Sequence, residues 1–411
     1  MCDAPQTGAK SVKRVCVIGA GTAGLEAAKR LGEGLARRRH VEVVLIEAQA
    51  QPMDRALTYD VGVARLGAQL ARRAPQELVG EHVRVLQARV EGLDLARREV
   101  FAGQTRVGFD YLLCAVGLEG TPWGLVDGRA LDQGAGVLDL YRWEDVVSLG
   151  ERVGAVLRGE RGQEEGGRVF VVAGGGQSGV ELAAELASAL QDGLSAEARA
   201  HARVVLVERR GELLPGFGAA LQAKVLDALG RLGVEVRLGD QALGFDGREV
   251  GLANGGAIVA QHVVSACGAS APRWLREAGL LVGEGGWLWV EDDLEVVGQE
   301  GIYAAGSCAR SAREEGMYEG SARAARQGKR AADNLLMAMV GASPDPWEPP
   351  LAQPVWVRLG RGEAAVELGG RAFSGSAAHG ALRVLQSAKA PTPGARLGIL
   401  AGRLGSRLLT R

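Results

Sequence analysis

A glycine-rich stretch near the N-terminus has residue types and spacing suited to binding phosphate. The sequence VCVIGAGTAGLEAAKRL, residues 15–31, places Gly19, Gly21 and Gly24 between a predicted strand and a predicted helix. At this spacing the first glycine makes a tight turn, the second lets the backbone approach a pyrophosphate, and the third lets the helix pack on the strand. The helix N-terminus adds unpaired N–H groups and the positive end of its dipole.

The next strand supplies an acid at the position that completes such a site. Residues 41–46 are predicted to form a strand, and Glu47 follows directly. A carboxylate there can accept hydrogen bonds from the ribose hydroxyls of an adenosine. Strand, glycine turn, helix and acid together predict a dinucleotide site formed by Gly19, Gly21, Gly24 and Glu47.

The same pattern occurs a second time, about 155 residues later. Gly174, Gly176 and Gly179 follow a strand predicted over residues 168–173, and a later strand ends at Glu208. Two complete units indicate two dinucleotides, and a bound flavin with a visiting nicotinamide is the natural pair because hydride can pass between them. The Glu208 carboxylate would repel a 2′-phosphate, so NADH is favoured over NADPH, although the two arginines that follow would weaken that preference.

Composition and length agree with an α/β protein that carries two Rossmann-like dinucleotide-binding domains. The chain has 411 residues, of which 47% are apolar and 24% charged, as in soluble globular proteins. A chain of this length accommodates two or three domains. The net charge of −1 gives no reason to expect nucleic acid as a partner.

Several further motifs resemble those of flavoproteins with two dinucleotide-binding domains, and most closely those of type II NADH dehydrogenases. The resemblance covers about residues 13–340 and rests, besides the two turns, on FDYLLCAVG (109–117), ERRGELLPGF (208–217), QHVVSACGASAP (261–272), LEVVGQEGIYAAGSCA (294–309) and ARAARQGKRAADNLL (322–336). It implies an enzyme that binds FAD, takes hydride from NADH and passes electrons to an acceptor, with quinone as the first choice.

The resemblance also implies that an inserted NADH domain interrupts the FAD domain. The predicted boundaries are 1–145 for the first part of the FAD-binding domain, 146–270 for the NADH-binding domain, 271–340 for the second part of the FAD-binding domain, and 341–411 for a small C-terminal segment.

Three more FAD contacts follow from the resemblance, and one of them departs from the family. Gly117, Gly306 and Ser307 occupy the positions concerned. The family usually has an aspartate after the glycine at 306, which holds the ribityl chain of the flavin. A serine makes only a neutral hydrogen bond, which is weaker than a charge-assisted one. Weaker FAD retention is one consequence, and a non-catalytic nucleotide-binding protein is the alternative.

Glu181, in the motif GVE, has two interpretations. An acid near a helix N-terminus is favourable by itself. The resemblance implies instead that Glu181 faces the nicotinamide and the flavin and helps to align them, and we predict it as the catalytic residue. Hydride transfer needs alignment more than acid–base groups, because reacting atoms ~3–3.5 Å apart suffice.

The electron acceptor is less well specified. Type II NADH dehydrogenases carry two glutamines that line the quinone site on the helix after the second FAD strand. Alignment on QGK, residues 327–329, places Ala322 and Arg326 there, and a shift by one residue would place Arg323 and Gln327 there. Quinone is the first prediction, and a soluble NADH-dependent reductase that uses a redox protein or oxygen is the alternative.

Cysteines and histidines predict neither a metal site nor disulfide exchange. The five cysteines form no CxxC pair and no zinc spacing, and the five histidines are scattered. No cysteine lies between Cys16 and Cys114, where the disulfide reductases of this superfamily carry a Cys-x4-Cys pair. Cysteine usage of this kind fits a reducing compartment.

The C-terminal stretch GARLGILAGRLGSRLLTR, residues 394–411, has the pattern of a basic amphipathic helix. Leucines form one stripe and arginines another, as in helices that lie on anionic membrane surfaces. A helix packed on the body of the protein is the alternative. Because no apolar N-terminal signal and no run of about 18 apolar residues is present, we predict a cytoplasmic protein, peripheral on the inner face of the cell membrane. The oligomeric state is left open.

Overall fold

The computed structural model describes residues 12–38, 40–121, 125–126, 129–130, 136–160, 167–314, 320–349 and 354–389. Its helices are α1 (Thr22–Leu35), α2 (Thr58–Gly62), α3 (Gln76–Val79), α4 (Trp143–Leu157), α5 (Gln177–Gly193), α6 (Ala196–Ala200), α7 (Ala219–Arg231), α8 (Trp274–Glu277), α9 (Ser321–Ala338) and α10 (Ser376–Lys389). Short 3-10 turns lie at Arg55–Leu57, Ala68–Ala71 and Ala312–Glu314.

The strands alternate with these helices in the order expected for dinucleotide-binding units. They are β1 (Lys13–Ile18), β2 (Val41–Glu47), β3 (Val83–Gln87), β4 (Val90–Asp94), β5 (Glu99–Ala102), β6 (Thr105–Gly108), β7 (Tyr111–Cys114), β8 (Glu119–Gly120), β9 (Leu125–Val126), β10 (Arg129–Ala130), β11 (Val137–Asp139), β12 (Val169–Ala173), β13 (Arg203–Glu208), β14 (Val234–Leu238), β15 (Ala242–Phe245), β16 (Glu249–Leu252), β17 (Ala257–Val259), β18 (His262–Ser265), β19 (Ala269–Ser270), β20 (Leu288–Val290), β21 (Ile302–Ala304), β22 (Ala309–Ser311), β23 (Val355–Arg358), β24 (Ala364–Leu368) and β25 (Arg371–Gly375).

Contacts divide the chain into two compact units, each of which is discontinuous in sequence. Unit 1 comprises Met1–Pro52, Arg73–Leu118 and Ser270–Pro349, and unit 2 comprises Met53–Arg72, Glu119–Ala269 and Pro350–Arg411. Segment 53–72 lies within the first part of the predicted FAD domain, yet it groups with unit 2. The predicted domain boundaries stay a prediction about which part holds which nucleotide.

Unit 1 is built on a five-stranded parallel sheet with the order β21-β7-β1-β2-β3. Residues 15–18 of β1 are all buried, as expected for a central strand covered on both faces. Helix α9 packs closely on α1, because a Cβ added to Gly328 would lie 2.1 Å from the carbonyl oxygen of Ala23. One continuous apolar core joins this sheet to the two helices.

Unit 2 repeats this plan with the parallel order β11-β18-β12-β13-β14. Helices α5 and α7 pack on the sheet, and the antiparallel sheet β23-β24-β25 packs on both helices. All five residues of β12 are buried. Within the described ranges, no helix combines the length and the apolar character needed to cross a bilayer.

Candidate functional site

The first glycine turn has the geometry that the sequence predicts. Gly19 directly follows β1 and has φ +95°, a conformation that favours glycine. A Cβ on Gly19 would lie 2.5 Å from the carbonyl oxygen of Ala115, and a Cβ on Gly24 would lie 1.8 Å from the carbonyl oxygen of Gly19. Both glycines are therefore required by close packing against backbone. Gly21 is exposed, and no atom lies within 4 Å of its added Cβ.

The other residues predicted to contact FAD gather around this turn. The Glu47 carboxylate accepts hydrogen bonds from the backbone N–H of Ala20 (2.7 Å) and of Gln49 (2.9 Å), which fixes its orientation beside the turn. A Cβ on Gly306 would lie 2.9 Å from the Cβ of Ala23, in the first turn of α1. Carboxyl ends of the strands β1, β2, β7 and β21 thus meet at one edge of the sheet, the usual ligand-binding edge of such folds.

Gly117 and Ser307 lie on the loops at this edge. Gly117 has φ +69° and follows β7, which pairs with β1. Ser307 follows β21 and is half-buried, whereas Gly306 and Cys308 on either side are buried. The structure therefore brings all seven predicted FAD contacts to one edge of unit 1.

The second glycine turn has the same geometry in unit 2. Gly174 has φ +112°, and a Cβ there would lie 2.4 Å from the carbonyl oxygen of Ala266. A Cβ on Gly179 would lie 1.8 Å from the carbonyl oxygen of Gly174, whereas no atom lies within 4 Å of one on Gly176. Each distance repeats its counterpart in unit 1 to within 0.1 Å. The repeat seen in the sequence is thus a repeat of three-dimensional structure.

The acid and the third strand also repeat. Glu208 is buried and accepts hydrogen bonds from the backbone N–H of Gly175 (2.6 Å) and of Arg210 (2.8 Å), as Glu47 does in unit 1. Gly268, with φ +110°, follows β18 as Gly117 follows β7. Gly268 is not among the residues predicted above, and the repeated Ala-x-Gly at 115–117 and 266–268 is the sequence signal that marks it.

Both turns fit a pyrophosphate. Gly21 and Gly176 are the N-cap residues of α1 and α5, and neither helix has a side-chain cap or an acid in its first turn. The N–H groups that open these helices therefore have no side-chain acceptor of their own, which suits an anion. The space beside Gly21 and Gly176 lets a phosphate approach the backbone. The residues present fit a dinucleotide in each unit.

Glu181 lies inside unit 2, on α5. Its carboxylate accepts hydrogen bonds from the backbone N–H of Arg358 (3.0 Å) and from Nε2 of Gln177 (3.2 Å), and the hydroxyl of Tyr59 bonds to it. Burial raises the pKa of Glu181 above its usual range, although these hydrogen bonds oppose that effect. The sequence indicated that Glu181 is important but did not identify these partners. Its role beside the nicotinamide stays a prediction.

A cluster of ionic side chains surrounds the buried Arg358, and no pattern in the sequence indicates it. Arg358 Nε contacts Glu185 at 3.0 Å, and its terminal nitrogens contact Asp60 at 3.1–3.2 Å. Glu185 also pairs with Arg65. Burial disfavours the charge on Asp60, but the attraction of Arg358 outweighs it and holds the pKa of Asp60 below its usual range. The cluster ties β23 to α5 and to segment 53–72, all within unit 2.

The two candidate pairs on α9 differ in burial. Arg323 and Gln327 are 3% and 0% exposed and face the interior of unit 1, whereas Arg326 is exposed and Ala322 is half-buried. Ala322 and Arg326 are therefore the outward pair. Neither residue of this outward pair is a glutamine, and which pair on α9 corresponds to the glutamines of type II NADH dehydrogenases stays a prediction.

Cysteines in the described part of the chain offer no disulfide chemistry. Among the described residues, Cys16, Cys114, Cys267 and Cys308 form no disulfide, and of these four Cys267 alone is exposed. Burial raises the pKa of Cys16 to about 12 and holds that of Cys114 well above its usual range. The reactive thiolate form is therefore scarce at neutral pH.

Replacement of Glu208 by glutamine tests the nucleotide preference. Glu208→Gln keeps the size of the side chain and an oxygen that can accept from the Gly175 N–H, but it removes the charge. We expect the KM for NADH to rise about tenfold, the difference between charge-assisted and neutral hydrogen bonds. The KM for NADPH should change less, because a 2′-phosphate is no longer repelled. The control variant Glu212→Gln, at an exposed acid four residues further along, should leave both constants unchanged, and equal effects of Glu208→Gln on the two nucleotides would contradict the assignment.

Comparisons with known proteins agree with this geometry. The type II NADH:quinone oxidoreductase Ndh of Mycobacterium tuberculosis is 27% identical over 82% of this chain and 75% of its own length. The type II NADH:quinone oxidoreductase of Haemophilus influenzae is 26% identical over 81% of this chain and 82% of its own. The structure of NDH2 from Plasmodium falciparum in complex with NADH superposes with a TM-score of 0.79 at 12% identity, covering 96% of this chain and 98% of that chain.

These findings confirm the predicted α/β fold with two dinucleotide-binding units, the predicted oxidoreductase class, and FAD and NADH as the cofactors. The sequence pattern that defines the pyridine nucleotide-disulphide oxidoreductase family matches residues 13–328, which is more than half of the chain. The chain belongs to the pyridine nucleotide-disulphide oxidoreductase family.

Proposed function

We propose that the protein is an NADH:quinone oxidoreductase that works by a ping-pong cycle. The observation that carries the proposal is the repeated site, in which two glycine turns have matching geometry and each is completed by a carboxylate. The names of the two curated relatives support quinone as the acceptor. In the overall reaction NADH, one proton and quinone give NAD⁺ and quinol.

We assign FAD to unit 1 and NADH to unit 2, in keeping with the predicted FAD domain of 1–145 and 271–340 and the predicted NADH domain of 146–270. Bound FAD supplies a two-electron acceptor for the hydride of NADH. The residues proposed to hold FAD are Gly19, Gly21, Gly24, Glu47, Gly117, Gly306 and Ser307. Those proposed to hold NADH are Gly174, Gly176, Gly179 and Glu208.

Each site residue has a role that its geometry supports. N–H groups at the start of α1 and α5 bind pyrophosphates, and the backbone-oriented carboxylates Glu47 and Glu208 accept from ribose hydroxyls. We propose that Glu181 aligns the nicotinamide with the flavin. The backbone of Arg358 and the side chain of Gln177 hold its carboxylate in one position.

The visible spectrum of the purified full chain tests the proposal. We expect a flavin band that bleaches when NADH is added without oxygen and returns when a quinone is added. A protein that stays colourless when FAD is supplied would favour the non-catalytic alternative. Bleaching by NADH with recovery only on addition of oxygen or a redox protein would favour the soluble reductase.

We further propose that residues 394–411 hold the protein at the inner face of the cell membrane. This stretch lies outside the described residues, so the proposal rests on its sequence pattern alone. Deletion of 394–411 removes none of the described residues and should abolish co-sedimentation with vesicles that contain anionic lipid. A variant with Arg403, Arg407 and Arg411 changed to glutamine keeps the leucines and should bind much less. Equal binding by all three proteins would refute the proposal.

A further inference from the structure

One buried carboxylate in unit 1 collects hydrogen bonds from four residues and has not entered the account so far. Glu314 is 1% exposed and lies at the end of the 3-10 turn that follows β22. Its oxygens accept from Nε and Nη2 of Arg323, both at 2.7 Å, and from Nε1 of Trp347 at 2.7 Å. They also accept from Nε2 of Gln327 at 3.1–3.2 Å and from the backbone N–H of Ser311 at 3.2 Å.

The side chain of Gln327 connects the Glu314 carboxylate to the turn Gly306–Ser307. Its amide has a donor end and an acceptor end. Glu314 accepts from the donor end, so the acceptor oxygen faces the other way, where it receives the backbone N–H of Gly306 at 2.9 Å. Gly306 has φ +84° and packs against the Cβ of Ala23. The position of the turn 306–307 is therefore set by Gln327 on one side and by α1 on the other.

The negative charge on Glu314 determines which way the hydrogen bonds of this network point. Burial opposes ionisation of Glu314, but the hydrogen bonds and the charge of Arg323 outweigh burial and hold the pKa of Glu314 below its usual range. An ionised carboxylate only accepts hydrogen bonds, so it forces every partner, including the Gln327 amide, to present a donor. A buried ion pair is a weak source of stability compared with apolar packing, which makes a role in positioning the better explanation.

We propose that Glu314 is a positioning residue for the flavin, acting through Gln327 on the turn Gly306–Ser307. The network holds this turn so that half-buried Ser307 presents its N–H and hydroxyl to the bound cofactor. It thereby offsets the absence of a carboxylate at position 307. The proposal rests on the assignment of FAD to unit 1.

The network also links residues 341–349 to the turn Gly306–Ser307. Trp347 is 4% exposed, and its ring nitrogen donates directly to Glu314. Asn334 on α9 anchors the same stretch, because its side chain bonds to the backbone N–H and carbonyl of Asp345. A change at Trp347, far along the chain from residue 307, should therefore alter flavin affinity.

Flavin affinity of the full chain, stripped of cofactor and titrated with FAD by fluorescence quenching, tests the proposal. In Glu314→Gln the Gln327 amide can turn over, which leaves the Gly306 N–H without its acceptor, and we expect the Kd for FAD to rise at least tenfold. Trp347→Phe removes one donor to the carboxylate and should raise the Kd several-fold. Ala331→Gly weakens α9 without touching the network, so it should lower the melting temperature of the flavin-free protein and leave the Kd unchanged.

The outcomes separate positioning from stability. A wild-type Kd in Glu314→Gln overturns the proposal, whatever its melting temperature. If that variant does not fold, Trp347→Phe decides the question in the same way. A Kd in Ala331→Gly that rises in proportion to lost stability, as in the network variants, also overturns it. Failure of the wild-type chain to bind FAD would instead refute the assignment of FAD to unit 1.

Discussion

Alanine at Gly24 or Gly179 should disrupt folding, whereas alanine at Gly21 or Gly176 should leave the protein folded and remove a cofactor. A Cβ at either of the first two positions would lie 1.8 Å from a backbone carbonyl oxygen, so a helix must move away from its strand. We expect each of these variants to lose at least ~3 kcal/mol of unfolding free energy, the upper part of the range for overpacking. Urea denaturation of the flavin-free protein measures this loss.

Alanine at Gly21 or Gly176 should change the unfolding free energy of the protein very little. Gly21 and Gly176 have φ near −70°, which alanine adopts easily, and a Cβ on either meets no protein atom within 4 Å. A methyl group there occupies the space through which a pyrophosphate approaches. Gly21→Ala should lose FAD during purification, and Gly176→Ala should keep FAD while its KM for NADH rises at least tenfold. Stability losses equal to those at Gly24 and Gly179 would contradict this division of roles.

Replacement of Arg358 by methionine should be among the most destabilising single changes in unit 2. It leaves the buried carboxylate of Glu185 and the half-buried carboxylate of Asp60 without their shared cation, and removal of one partner from a buried ion pair costs ~3–5 kcal/mol. Chemical denaturation should show this loss with the m-value unchanged.

Arg361, three residues further along, provides the matched control. Its side chain is 43% exposed and pairs with Asp192 at 3.5 Å. Exposed pairs contribute ~0–1 kcal/mol, so Arg361→Met should be nearly neutral. Similar losses in the two variants would show that burial does not give the Arg358 cluster its importance.

Sequence reasoning succeeded where the signal is local. The turn at 19–24, the turn at 174–179 and the acids after the second strands all lie within about 35 residues of one another in their own units, and each residue type has one physical task there. The starts of α1 and α5, at Thr22 and Gln177 inside the glycine motifs, have no such local signal. Glycine N-caps lack the side chain that usually marks a helix start.

The features that could not be predicted from the sequence depend on contacts between residues that lie far apart along the chain. Arg358 meets Asp60 across 298 residues and Glu185 across 173, and no local pattern distinguishes these residues from surface charges. Glu314 was equally hidden, because its partners come from a helix and from the stretch beyond that helix. The burial of Arg323 and Gln327 on α9 also needed the packed structure, since arginine and glutamine are usually surface residues.

The strand order of unit 1 determines when its sheet can be completed during synthesis. Strand β7 pairs with β1 on one side and with β21 on the other. During synthesis β21 follows β7 by roughly 190 residues, which is about 10–40 s at ~5–20 residues per second. For that time one edge of a strongly apolar nascent sheet has no partner, and such an edge invites pairing with other chains. Slow translation or a shortage of chaperones should therefore lower the soluble yield before it affects the finished enzyme.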